Sequence, residues 1–122
     1  MQESKEKTIS IITVVKNAES TIERSIQSVL NQNYSNIEYI IVNGYSTDKT
    51  NEILEKYKEQ ISLIINKKDA GIWDAMNIGL EKATGDIVGF LNADDHYYNG
   101  ALKIVNNYFS SNQIDFLFGA VD

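Results

Sequence analysis

Apolar and polar residues alternate in blocks along this chain, and the period of each block predicts an element. Residues 8–15, Thr-Ile-Ser-Ile-Ile-Thr-Val-Val, are mostly β-branched and predict a buried first strand. Ile22, Ile26, Val29 and Leu30 then recur at helical spacing and make one apolar face. Ser20, with Glu23 three residues on, has the spacing of a capping box for that helix, which should stop between Asn31 and Tyr34. Residues 37–42 predict a second strand. Ser46 or Thr47 can cap the next helix, Asp48 favours its positive end, and Ile53, Leu54 and Tyr57 form its inner face. Residues 61–65 predict a third, shorter strand.

After a loop at 67–71, apolar or small residues recur at helical spacing from Ile72 through Ala75, Met76, Gly79 and Leu80 to Ala83. Gly79 inside this helix predicts close packing against a neighbour, and Gly85 is expected to end it. Ile87, Val88, Phe90 and Leu91 predict a central strand covered on both faces. It turns polar at Asn92. Leu102, Val105 and Phe109 form a fourth helical face, and residues 114–118 read as a last strand. Strand and helix alternate throughout, which is the pattern of a three-layer α/β/α domain with a mainly parallel sheet. The domain spans 8–122, after a polar tail at 1–7.

In open α/β sheets, ligands bind outside the carboxyl ends of the strands. Polar residues gather at those predicted ends: Lys16 and Asn17, then Asn43 to Asp48, then Asp69 in a loop, then Asn92 to Asp95. The carboxylates Asp94 and Asp95 suit hard divalent cations such as Mg²⁺, Mn²⁺ or Ca²⁺. The competing reading is that they only build an Asx-turn or cap the next helix. His96 reads as a solvated loop residue, and Trp73 and Met76 read as core.

Composition narrows the classes. Apolar residues are 43% and charged residues 23%, values of a globular chain rather than a disordered one. The net charge of −6 argues against nucleic acid as a partner and, for a phosphate ligand, favours a bridging cation. Cysteine is absent, which excludes disulfides and thiolate metal sites and fits a cytoplasmic location. The N-terminus lacks the apolar run of a signal peptide. No glycine fingerprint for a dinucleotide and no phosphate-cradling P-loop follows the first strand. With a single histidine, His96, a Ser-His-Asp device is not the expectation.

Five blocks together carry a resemblance. They are residues 11–18 (IITVVKNA), 28–32 (SVLNQ), 42–50 (VNGYSTDKT), 69–79 (DAGIWDAMNIG) and 83–95 (ATGDIVGFLNADD). In order and spacing they resemble the family 2 inverting glycosyltransferases, which have the GT-A fold. The similarity is greatest to bacterial members that build surface polysaccharides.

The resemblance implies roles for particular residues. Asn92-Ala93-Asp94 stands where the family has its Asp-X-Asp motif, so Asp94 would ligate Mg²⁺ or Mn²⁺ and Asn92 would contact ribose or the metal shell. Asn43 stands where an Asp usually meets the uracil ring, and Lys16 where an aromatic often stacks on it. Thr13, Val15, Asn17, Asp69, Gly71, Asp74, Asn77 and Asp95 complete the implied donor site. The implied donor is a nucleotide sugar, with UDP favoured. The implied acceptor is a saccharide or a lipid-linked one, met at the inner face of the membrane by peripheral association. The catalytic base is expected beyond Asp122, on the part that binds acceptor. An incomplete sheet would expose an edge, so self-association is a further expectation. A nucleotide-binding module without catalytic activity is the alternative. A nucleotidyltransferase would need a glycine- and arginine-rich loop, which residues 16–20 do not supply.

Overall fold

The computed structural model describes residues 6–68 and 71–111. Its strands are β1 (Ile9–Val15), β2 (Ile37–Asn43), β3 (Leu63–Asn66) and β4 (Ile87–Phe90). Its helices are α1 (Ile22–Leu30), α2 (Thr50–Tyr57), α3 (Ile72–Lys82) and α4 (Ala101–Ser111), with a one-turn 3-10 helix at Lys58–Gln60. All described strand pairs are parallel, in the order β3-β2-β1-β4. The chain steps outward from β1 through β2 to β3, then crosses to the other side of β1 for β4. The topological switch point therefore lies between β1 and β4. The strand predicted at 114–118 lies outside the described residues.

Period-two alternation sorts the core into two layers. Ile9, Ile11 and Val15 of β1 join Ile22, Ile26 and Val29 of α1, Leu54 of α2 and Leu102 of α4 on one face. Ile12, Ile40 and Val42 meet Ala75 of α3 on the other. The three-layer α/β/α expectation holds. Gly79 is required by the approach of α3: a Cβ there would stand 2.5 Å from the Ile12 side chain.

Several local expectations are corrected by tertiary contacts. The α1 N-cap is Thr21, with no side-chain capping bond, and Glu23 instead accepts from Lys56 and Tyr57 of α2. The α2 N-cap is Lys49, not Ser46 or Thr47, and Asp48 Oδ1 accepts from Thr50 N. α3 ends at Lys82, so Gly85 does not cap it. Gly85 is there because a Cβ would meet Thr8 O at 2.7 Å and Ser10 N at 2.9 Å. β4 is not covered on both faces among the described residues: Val88 and Phe90 are exposed on the α3 side, because α3 lies over β1 and β2. Trp73 is 75% exposed rather than core, since it falls on the outer side of the first turn of α3. Lys7, assigned to the tail, is tied to the domain through its N–H to Asn106 Oδ1 at 3.0 Å.

Glu38 clamps the amino edge of the sheet. It accepts from Ser10 Oγ at 2.6 Å, Thr84 N at 2.8 Å and Thr84 Oγ1 at 2.9 Å. The Ser10 hydroxyl first, and the Thr84 N–H next, hold its carboxyl below the ordinary 4.5. The fold thus favours the charged form. Its contribution is complete above the ordinary value and is lost as pH falls through the lowered one. Melting in acid buffers should show the midpoint falling below about pH 4.5, and Glu38→Gln should flatten that fall while lowering the midpoint at neutral pH.

Candidate functional site

The loops after β1 and β2 are tied to each other at the carboxyl edge. Asn17, at φ 54°, accepts on its side-chain oxygen from Thr47 N at 2.7 Å and Asp48 N at 3.3 Å. Asn17 N donates to Ser46 Oγ at 2.9 Å, and Ala18 N to Thr50 Oγ1 at 2.9 Å. Asp48 Oδ2 accepts from Glu19 N at 3.1 Å. Bonds from Thr50, then from the Glu19 N–H, hold the Asp48 carboxyl below its usual range. The N–H groups of residues 17–19, which lead into α1, are thus satisfied from the β2–α2 connection, while Ile22 N at the helix start donates to Ala18 O at 2.9 Å.

Asn43, the last residue of β2, is 1% exposed. Its Nδ2 donates to Asn51 Oδ1 at 2.6 Å and Asn66 Oδ1 at 2.9 Å. Its Oδ1 accepts from Ser46 Oγ at 2.7 Å and Ser46 N at 3.3 Å. Because a backbone N–H only donates, Oδ1 must face Ser46, which fixes the orientation of the amide. Both ends of the side chain are consumed inside the protein. Asn43 thereby braces the loop on which neighbouring groups are displayed.

After β4 the chain makes a braced acidic turn. Leu91 N donates to Ile12 O at 2.9 Å. Asn92 O accepts from Asp95 N at 3.0 Å and from Ser25 Oγ of α1 at 3.3 Å. Asn92 Nδ2 donates to Asp95 Oδ2 at 3.3 Å. The turn-building reading is realised at Asp95. Asp95 builds the turn and aims the Asn92 amide, and Asp94 is exposed. His96 Nε2 lies 3.1 Å from Arg24 of α1, so it is a surface residue with a partner.

The remaining expected site residues separate clearly. Thr13 and Val15 have buried side chains, and Thr13 Oγ1 lies 3.4 Å from Tyr39 Oη. These inward-facing β1 side chains belong to the core. Lys16 is exposed at the strand end. Gly71, at φ 125°, opens α3, and Asp74 and Asn77 are exposed in its first two turns, at this same edge. Asp69 lies outside the described residues. Asn51 and Asn66 were not anticipated as site residues. The signal for Asn66 was its position at the end of a strand, where it pairs in register with Asn43.

A cavity of about 630 Å³ opens beside the Asn43 network, between α2, the 3-10 turn and β3. Among the described residues, no three acidic, His or Cys side chains converge as a metal cage. The oxygens of Asn92 and Asp94 nonetheless fit a hard cation that takes its other ligands from water and phosphate, as Mg²⁺ commonly does. No helix among the described residues is long and apolar enough to cross a membrane.

The family model described as Glycosyl transferase family 2 matches residues 10–122. An uncharacterized glycosyltransferase of Haemophilus influenzae is 42% identical over 110 residues, covering 87% of this chain and 44% of that protein. The Escherichia coli protein named UDP-Glc:alpha-D-GlcNAc-diphosphoundecaprenol beta-1,3-glucosyltransferase WfgD is 36% identical over 112 residues, covering 91% of this chain and 44% of its own length. The chain thus spans less than half of these relatives. Among solved structures, S. aureus TarS 1-349 in complex with UDP-GlcNAc superposes with a TM-score of 0.79 at 26% identity, covering 87% of this chain and 32% of that one.

Proposed function

The chain belongs to glycosyl transferase family 2, and we propose that it forms the nucleotide-sugar-binding half of an inverting, cation-dependent glycosyltransferase. The observation that carries this reading is the braced turn at the β1/β4 switch point. There Asp94 is exposed, and the Asn92 amide is turned by Asp95 so that its oxygen is left over. Asn92 and Asp94 would hold the cation. When bound, it neutralises charge that grows on the departing diphosphate.

The protein's own residues do the positioning. Ser25 pins the Asn92 carbonyl to α1, which fixes the turn relative to β1. Asn17 locks the loops after β1 and β2 together, so the edge meets a ligand pre-formed. Asp74, Asn77 and Lys16 border the same edge and would line the path of the sugar diphosphate. The UDP-GlcNAc complex of TarS and the UDP-Glc in the name of WfgD support a UDP-linked donor. The diphosphoundecaprenol in that name supports a lipid-linked acceptor saccharide in polysaccharide assembly.

A thermal-shift titration with UDP, GDP, CDP and TDP, each with Mn²⁺ or EDTA, tests this. Binding to the folded state must raise the midpoint, by about 2.7 kcal/mol of stability at a hundred times the Kd. The expected result is a rise with UDP that needs the metal. No rise with any nucleotide would refute the donor-site reading.

A further inference from the structure

The Asn43 network leaves one amide edge over, and an aromatic ring stands beside it. Asn51 Nδ2 donates to Ser46 O at 2.8 Å, and its Oδ1 accepts from Asn43. Asn66 must present its Oδ1 to the second Asn43 N–H. By elimination the Asn66 Nδ2 group is turned away from the network, and it has no hydrogen-bond partner among the described residues. Asn66 lines the cavity together with Tyr45, Ser46 and Asn51.

Tyr45 is 57% exposed and sits at φ 55°, in the left-handed region that aromatic residues rarely occupy. Its neighbours enforce the strain. Gly44 N donates to Val15 O at 2.9 Å on one side, and Ser46 is bonded to Asn43 on the other. Strain that the surroundings over-determine clusters at ligand clamps. The cavity below is apolar at Leu54, Ile61 and Ile64. Its outer rim carries Glu55 and Glu59, and Lys58 is occupied by Glu55 at 2.6 Å. Such a rim repels phosphate but admits a neutral planar ring.

We propose that Tyr45 and Asn66 form the base-reading wall of the donor site, with the Tyr45 ring stacked on the nucleobase and Asn66 Nδ2 donating to a ring carbonyl. This rests on the donor-binding reading above and deepens it. The span agrees. Neighbouring strands are about 4.8 Å apart, so the end of β2 lies roughly 10 Å from the end of β4. A nucleoside diphosphate bridges that distance, with its base at β2 and β3 and its phosphates at Asp94.

Calorimetric titration of this chain with UDP and with inorganic pyrophosphate, both with Mg²⁺, tests the proposal. Tyr45→Asn removes the ring but tolerates the left-handed backbone, and Tyr45→Phe keeps the ring. The expected result is that Tyr45→Asn weakens UDP about tenfold or more, the scale of one base–aromatic stack, and leaves pyrophosphate unchanged. Tyr45→Phe should match the unmodified chain. Asn66→Asp should weaken UDP and narrow its advantage over CDP, because an acceptor replaces the donor. Equal UDP affinity in Tyr45→Asn, or parallel loss of UDP and pyrophosphate, would overturn the proposal. An unmodified chain that binds pyrophosphate as well as UDP would overturn it while the cation site stands. One that binds neither would overturn the donor reading as well.

Discussion

Asp94→Ala is expected to abolish metal-dependent binding of UDP while the domain stays folded. The Asp94 side chain is exposed and makes no hydrogen bond or ion pair among the described residues, so its removal leaves no buried group unpaired. Its effect should fall wholly on the cation. Even outer-shell partners of a metal change affinity by about 10–100-fold when removed, and a direct ligand should exceed the upper figure. In the thermal-shift titration the variant should melt at the midpoint of the unmodified chain without ligand and show no rise with UDP and Mn²⁺. Asp95→Asn is the informative companion. It keeps the shape of the turn but weakens the hold on the Asn92 amide, so a partial loss is expected. A full UDP response in Asp94→Ala would remove the Asn92-Ala93-Asp94 turn from the site.

Asn43→Ala should produce the largest loss of stability among single changes at this edge. The side chain makes four hydrogen bonds in a 1% exposed position. A typical bond contributes about 1 kcal/mol net, and a buried donor left unpaired costs about 1–3 kcal/mol. The sum is about 3–5 kcal/mol, or a midpoint lower by roughly 10 °C or more for a domain of this size. The same variant should lose UDP binding without touching the cation ligands, because the Tyr45–Ser46 loop and Asn66 lose their common anchor. Denaturant unfolding alongside calorimetry checks both effects. A variant of native stability would mean that Asn43 is not the brace described here.

The block pattern of the sequence was sufficient for the architecture. β-branched runs such as residues 8–15 and helical faces such as Ile22, Ile26 and Val29 report burial that repeats within one element, and that periodicity is local. The alternation of the two periods implies parallel strands with crossover helices, and the polar residues following each strand then fall on one edge. The fold class and the neighbourhood of the site were legible for that reason. So was the close approach at Gly79, since a glycine within the apolar face of a helix weakens it unless a neighbour needs the space of the missing side chain.

The direction in which each polar side chain is spent was decided only in three dimensions. Asn43 and Asp94 read alike in sequence, as oxygen-bearing residues at strand ends. One is buried because β3 places Asn66 in register beside it and α2 brings Asn51 over it. The other is exposed because no described element covers the turn after β4. Ser20 and Glu23 have capping-box spacing, yet α1 has no side-chain cap, and the segment leading into it is held by Thr50 and Asp48, about thirty residues away. Trp73, expected in the core, is exposed for the same reason. Local sequence sets which residues can hydrogen-bond or pack, whereas the partner that claims each one is brought by long-range packing, and the free energy of burial is settled only when that partner arrives.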